Sequence, residues 1–193
     1  MQPSPLQCFA ASHDEPAPQR FALAVYGGAF DPPHAGHASV IRRVLETSEQ
    51  VLVVPSYRHA DAKRMADFDL RCAWVERLAA RFGDRVRCCS LERELGADGR
   101  VIYSYDLLSC LAERHGLPTE RLALVIGEDN CTRLTTFYRA AELRQRFGLL
   151  VAGEEMTVHS SAIRAMIAAG QAIPEAWQLP EIHSEMTIYR RSV

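Results

Sequence analysis

Two histidines three residues apart, His34 and His37, stand in the stretch Tyr26-Gly27-Gly28-Ala29-Phe30-Asp31-Pro32-Pro33-His34-Ala35-Gly36-His37. An imidazole N–H donates well to a phosphate oxygen, and at this spacing on a helix entry both rings can point at one bound group. Gly27 and Gly28 lack Cβ atoms, so a ligand can come close to the backbone, while Pro32 and Pro33 restrict φ and stiffen the turn. Unpaired N–H groups at the start of the following helix favour an anion. Together these features suit a grip on phosphate. Two other glycine-rich designs do not fit, because no Lys-Ser or Lys-Thr follows the glycines and no Gly-x-Gly-x-x-Gly is present. His-x-x-His can also hold zinc, but no cysteine or third histidine lies at a suitable spacing nearby. The plainest alternative, two histidines satisfying loop hydrogen bonds, leaves the flanking glycines and prolines without a reason.

Such a loop needs a strand before it and a helix after it. Phe21-Ala22-Leu23-Ala24-Val25 reads as a short buried strand, and Ala38 to Leu45 places Val40, Ile41, Val44 and Leu45 on one helical face. The alternation continues along the chain. Strands are predicted at 22–26, 50–54, 85–90, 122–126 and 148–152, and helices at 37–48, 68–82, 105–115, 138–146 and 161–169. This order argues for an α/β, doubly wound parallel sheet with helices on both faces and ligands beyond the carboxyl ends of the strands. One domain is expected over 21–193. The segment 1–20, with Pro3, Pro5, Pro16 and Pro18 among polar residues, reads as a flexible N-terminal extension.

The 193 residues are 48% hydrophobic and 24% charged, ordinary values for a globular domain. A net charge of −2 gives no general attraction to nucleic acid or to acidic membranes, so phosphate binding must come from local placement of donors. The cysteines Cys8, Cys72, Cys88, Cys89, Cys110 and Cys131 contain no C-x-x-C and read as reduced, mostly core thiols. No apolar run has the length of a membrane span, and residues 1–20 lack a basic start followed by a continuous apolar segment. A cytoplasmic location is expected, with no membrane and no nucleic-acid partner.

Gly-Gly-x-Phe-Asp-Pro-x-His-x-Gly-His resembles the signature of the adenylyltransferases that make nicotinate and nicotinamide dinucleotides, within the HxGH nucleotidyltransferase superfamily. The resemblance implies a single-domain, Rossmann-like nucleotidyltransferase fold and transfer of AMP from ATP to a pyridine mononucleotide, with pyrophosphate released. It implies ATP contacts at Gly28, Ala29, Phe30, His34 and His37. A second segment, Val158-His159-Ser160-Ser161-Ala162-Ile163-Arg164, resembles the family's Ile-Ser-Ser-Thr-x-Ile-Arg, with Val158 and His159 departing from it. Ser160 is a good N-cap for the helix through Ile163 and Ile167, Ser161 then faces an incoming anion, and Arg164 can grip β- and γ-phosphate oxygens bidentately. Gly127-Glu128-Asp129 resembles the family's Gly-x-Asp, which puts Asp129 on the ATP ribose; a plain Asp-Asn turn is the other reading.

The acceptor end is less regular. Tyr103-Ser104-Tyr105-Asp106 resembles the Ser-Tyr-Thr-x-Asp-Thr-Leu element near the mononucleotide, although Ser104 and Asp106 also suit a simple helix start. Lys63 is the only lysine among 22 lysine and arginine residues and follows the second strand. It is a candidate for the acceptor phosphate, but the family's Pro-Pro-His-Lys is here spread over His59 and Lys63, and Arg71 competes with it. Where the family carries a tryptophan after Gly-x-Asp, Phe137 or Tyr138 supplies an aromatic face for the pyridine ring or packs in the core. The implied catalytic set is His34, His37 and Arg164. No base is needed, since the acceptor phosphate is already nucleophilic, and Mg²⁺ enters with ATP, held by phosphates and water with no protein metal site. Trp177, Ile182 and Ile188 leave a homo-oligomer open. The alternatives are another phosphorylated acceptor, such as phosphopantetheine, glycerol phosphate or a flavin mononucleotide, or a catalytically weak nucleotide-binding sensor.

Overall fold

The computed structural model describes residues 7–8, 20–58, 64–153 and 156–190, with the side chains of Gln7, Cys8, Asp129 and Asn130 left out. Its strands are β1 (Gln7–Cys8), β2 (Phe21–Gly28), β3 (Ser48–Pro55), β4 (Val86–Cys88), β5 (Leu122–Gly127) and β6 (Gly148–Ala152). Its helices are α1 (Ala35–Val44), α2 (Phe68–Ala80), α3 (Leu91–Leu95), α4 (Ser104–His115), α5 (Glu128–Cys131), α6 (Ala140–Arg146) and α7 (Ser160–Ala168). The strands lie in the order β1-β6-β5-β2-β3-β4, and every pairing is parallel. This is the doubly wound sheet expected from the alternation. The order in which strands are added reverses around β2, which pairs with β3 on one side and β5 on the other. Crevices of doubly wound sheets open at such a reversal, beyond the carboxyl ends of the strands.

The period of two along each strand separates two cores. Ala24, Val51, Val53, Val125 and Leu150 face one layer with Ile41, Trp74, Val75, Leu78 and Ile163. Leu23, Val25, Leu52, Val54 and Leu124 face the other, with Leu108, Leu111 and Leu143. Both faces are covered, so the central strands are apolar almost throughout rather than alternating. Gly148 at the start of β6 is required, since a Cβ there would lie 2.2 Å from the Phe21 ring.

Several expected boundaries move. The predicted helix 37–48 ends at Val44, because Thr47 N–H closes a turn on the Val44 carbonyl and Ser48 already belongs to β3. The strand expected at 85–90 is reduced to Val86–Cys88, an edge strand cut short by α3. The helix expected from 138 begins at Ala140, since Arg139 takes a left-handed conformation with φ 53°. Asp67 caps α2 by accepting from Asp69 and Leu70 N–H at 2.9 and 3.2 Å, and Gly116 at φ 61° ends α4. The chain closes with a 3-10 stretch, Pro180–Tyr189, that buries Ile182 and Met186 against α2 and α7 while Ile188 stays exposed. The cysteines whose side chains are described are free thiols: Cys72 is buried, and Cys88, Cys89, Cys110 and Cys131 are half-buried and pack against the two cores. No helix among the described residues is long and apolar enough to cross a membrane.

Candidate active site

The segment between β2 and α1 is held from four sides. The Arg71 guanidinium is buried in the fold, donating to the Ala29 carbonyl at 2.8 Å and to the Ala66 carbonyl at 2.9 Å. Asp31, 1% exposed, accepts from the Tyr189 hydroxyl at 2.6 Å and from Ala66 N–H at 3.1 Å. Arg164 donates to the Asp31 carbonyl, and Ser160 Oγ donates to the Pro32 carbonyl at 2.9 Å. Phe30 sits at φ 47°, a conformation that is rare and costly for an aromatic residue, of order 1–3 kcal/mol. Its ring repays that by packing edge-on against Tyr26 (centroids 5.4 Å) and against His37 (4.9 Å).

These contacts set the two imidazoles at the first turn of α1. Their rings lie against each other with centroids 3.7 Å apart and planes tilted by 33°. The backbone N–H of His34 donates to His37 Nδ1 at 3.0 Å, which fixes His37 as the neutral tautomer with its proton on Nε2. His37 therefore presents an Nε2–H donor. Packing around the ring pushes its pKa well below the ordinary range, and the neighbouring His34 adds to the effect. His34 is pushed down to about 4, first by burial and then by His159. Its Nδ1 is buried with no hydrogen-bond partner. Gly36 lies between these rings and α7, where a Cβ would be 2.8 Å from Val158 Cγ1 and 3.0 Å from His34 Nδ1.

A cavity of about 410 Å³ opens over the carboxyl ends of β2 and β5. Its lining includes Gly27, Gly28, His34, His37, His159 and Ser160 as well as Ser56, Glu92, Ile102, Ser104 and Phe137. A Cβ on Gly27 would meet nothing within 4 Å, as expected where a ligand comes close to the backbone. Glu92 is 6% exposed, accepts Tyr57 N–H on Oε2 at 2.8 Å, and is raised to about 7 by burial, against the opposing effects of that bond and Arg71.

The cavity thus brings together seven of the residues singled out from sequence: Gly27, Gly28, His34, His37, Ser104, Phe137 and Ser160. Others stand elsewhere. Arg71 is not among the residues lining the cavity, and two of its N–H donors go to backbone carbonyls that brace the loop. Phe30 is buried beneath the histidines, and the half-buried Ala29 offers its carbonyl to Arg71. The N-cap of α7 is His159, so Ser160 is the first helical residue and Ser161 is exposed one position on. Asp106 lies half-buried in the first turn of α4, away from the cavity wall. Tyr138 is 48% exposed and stacks on Tyr103 at 4.9 Å. Asp129 falls in α5 directly after β5, and His59 and Lys63 lie outside the described residues. Sequence reasoning missed Ser56, Glu92 and His159 as cavity residues. Only Ser56 carried a signal, since it directly follows a predicted strand.

Residues 25–168 match the family model described as Cytidylyltransferase-like. A relative from Anaeromyxobacter dehalogenans (strain 2CP-C), named nicotinate-nucleotide adenylyltransferase, is 32% identical over 78% of this chain and 86% of its own length. The chain belongs to this nucleotidyltransferase family. A Myxococcus xanthus (strain DK1622) protein of the same name is also 32% identical, over 78% of this chain and 84% of its own length. Among solved structures, a Vibrio parahaemolyticus crystal structure titled as a nicotinate-nucleotide adenylyltransferase is similar with a TM-score of 0.72 and 28% identity, covering 85% of this chain and 97% of that one. The Plasmodium falciparum nicotinic acid mononucleotide adenylyltransferase complexed with NaAD shares the fold at a TM-score of 0.66 and 16% identity, over 86% of this chain and 93% of that one. The nucleotidyltransferase match spans both histidines, Glu92, Phe137 and Arg164, and stops before Pro180–Tyr189.

Proposed function

We propose that the chain transfers AMP from ATP to nicotinate mononucleotide, releasing pyrophosphate and forming the dinucleotide, as a step of NAD biosynthesis. The observation that carries this reading is the fixed tautomer of His37, a neutral Nε2–H donor on the wall of a cavity that continues to Ser104 and Phe137. One oxygen of the acceptor phosphate attacks the α-phosphorus of ATP, and the bond from that phosphorus to the bridging oxygen breaks. The electron pair leaves with pyrophosphate. The acceptor phosphate is already anionic, so the protein's task is alignment and stabilisation of charge on the transferred group. His37 donates near the bridging oxygen and His34 beside it. Ser160, Ser161 and Arg164 take the triphosphate tail, with Gly28 beneath the phosphates and Asp129 on the ribose. Ser104 and Phe137 receive the mononucleotide, and Lys63 is the candidate for its phosphate.

ATP enters as its magnesium complex. The ion is held by the substrate phosphates and water. The test is the fate of the α-phosphorus. With α-labelled ATP and nicotinate mononucleotide, the label is expected in the dinucleotide and none in pyrophosphate; label left entirely in ATP or released as free AMP contradicts the proposal.

A further inference from the structure

Tyr189 lies beyond the residues that the family model matches, yet its hydroxyl reaches a buried group of the histidine loop 158 residues away in sequence. That group is the Asp31 carboxylate, whose Oδ1 accepts both Tyr189 Oη–H and Ala66 N–H. Its Oδ2 faces Arg164 Nη1 at 3.4 Å. Ala66 also offers its carbonyl to Arg71, which holds Ala29, so Asp31, Ala66 and Ala29 form one frame under the loop. A buried carboxylate stripped of its partners is costly, by several kcal/mol when left unpaired. Arg164 therefore cannot leave Asp31 unless other donors remain on it.

We propose that Tyr189 is a positioning residue for nucleotide binding: by keeping a second donor on Asp31, it lets Arg164 turn from Asp31 to the triphosphate tail. This rests on the reading that Arg164 takes that tail. The Tyr189 side chain comes from the Pro180–Tyr189 stretch, which is tied to α2 independently, through Trp74 Nε1–H to Glu185 at 2.9 Å and the Arg77–Glu185 ion pair. The ring also packs near Trp74, with centroids 6.2 Å apart. Tyr189→Phe thus removes one hydroxyl and keeps the packing.

The experiment is calorimetric titration of the full chain with Mg-ATP in the absence of acceptor, for the parent, Tyr189→Phe, Arg164→Ala and the double variant. Loss of a hydrogen bond to a charged group is worth roughly tenfold or more in an equilibrium constant. ATP affinity is expected to fall about tenfold in Tyr189→Phe, and by less than twofold when the same change is made in Arg164→Ala. A purely structural role would instead lower the thermal midpoint and affinity alike in both backgrounds. A change under twofold in the parent, equal losses in both backgrounds, or no ATP binding by the parent overturns the proposal. Asp31→Asn tests the link from its other end, since it removes the charge Arg164 is paired with and keeps an amide oxygen that can accept from the Tyr189 hydroxyl. It is expected to bind ATP at least as tightly as the parent, and a tenfold loss contradicts the account. Because no acceptor is present, a wrong acceptor assignment would leave these results standing.

Discussion

The His34 N–H to His37 Nδ1 bond does at residue scale what a charged donor does elsewhere: it aims one proton without charging the ring. Protonating His37 at Nδ1 would set two N–H groups against each other, so the neutral form is built into the backbone of α1. Removing a donor aimed at developing oxyanion charge typically lowers turnover by roughly 10² to 10³. His37→Ala is expected to lose at least about two orders of magnitude in kcat with an unchanged circular dichroism spectrum. Glu92 gives a test by pH. Its folded pKa of about 7 lies above the ordinary 4.5, so the folded state holds a proton that the unfolded state has released. Stability is therefore lost as pH rises from about 4.5 through about 7. Glu92→Gln should match the parent at pH 4.5 and exceed it by roughly 1–3 kcal/mol at pH 8 in urea titrations. The histidines have the opposite sign: with His34 held at about 4 against an ordinary 6.5, their contribution is lost as pH falls through that window.

At the scale of elements, α1 meets the segment leading into α7, and glycine sets how close they come. Gly36 on α1 faces Val158 just before α7, leaving no room for a methyl group. Overpacking of this kind costs about 1–3 kcal/mol. Gly36→Ala is expected to lower the melting temperature and kcat together, and Val158→Ala in the same chain to restore much of both; failure of that rescue would place the cost elsewhere. The β2 to α1 unit was legible in the sequence because several signals agree there: an apolar strand, glycine and proline punctuation, and a helical apolar face. The one-turn helices α3 and α5 were not, since four or five residues carry too little periodicity to read. Phe30 also escaped, because its left-handed backbone is an aromatic exception that only the packing on Tyr26 and His37 explains.

Across the whole molecule, the sheet divides two cores, and one of them holds Phe30, Val158 and Ile163, which flank the two histidines and Arg164. Ile163, fully buried beside Arg164, and Leu143, fully buried on the opposite face, make a matched pair. Ile163→Ala and Leu143→Ala should each cost about 2–5 kcal/mol in stability. Only Ile163→Ala is expected to raise KM for ATP; equal effects on KM would mean that the two layers are not separable. The parallel sheet and its ligand edge followed from strand and helix alternation, whereas the parts joined across long sequence distances did not. From the sequence Arg71 competes with Lys63 for the acceptor phosphate, and nothing local shows that two of its donors reach the carbonyls of Ala29 and Ala66. Tyr189 gave no sign at all, its partner being at the other end of the chain.

The central claim is the reaction and its acceptor. The most direct measurement is steady-state pyrophosphate release from Mg-ATP with nicotinate mononucleotide and nicotinamide mononucleotide in parallel, with the product mass confirmed. The account expects turnover with nicotinate mononucleotide at a kcat/KM at least about tenfold above that with the amide, a preference that two or three polar contacts can supply. Pyrophosphate release with neither acceptor, by a folded chain that binds ATP saturably, would contradict it.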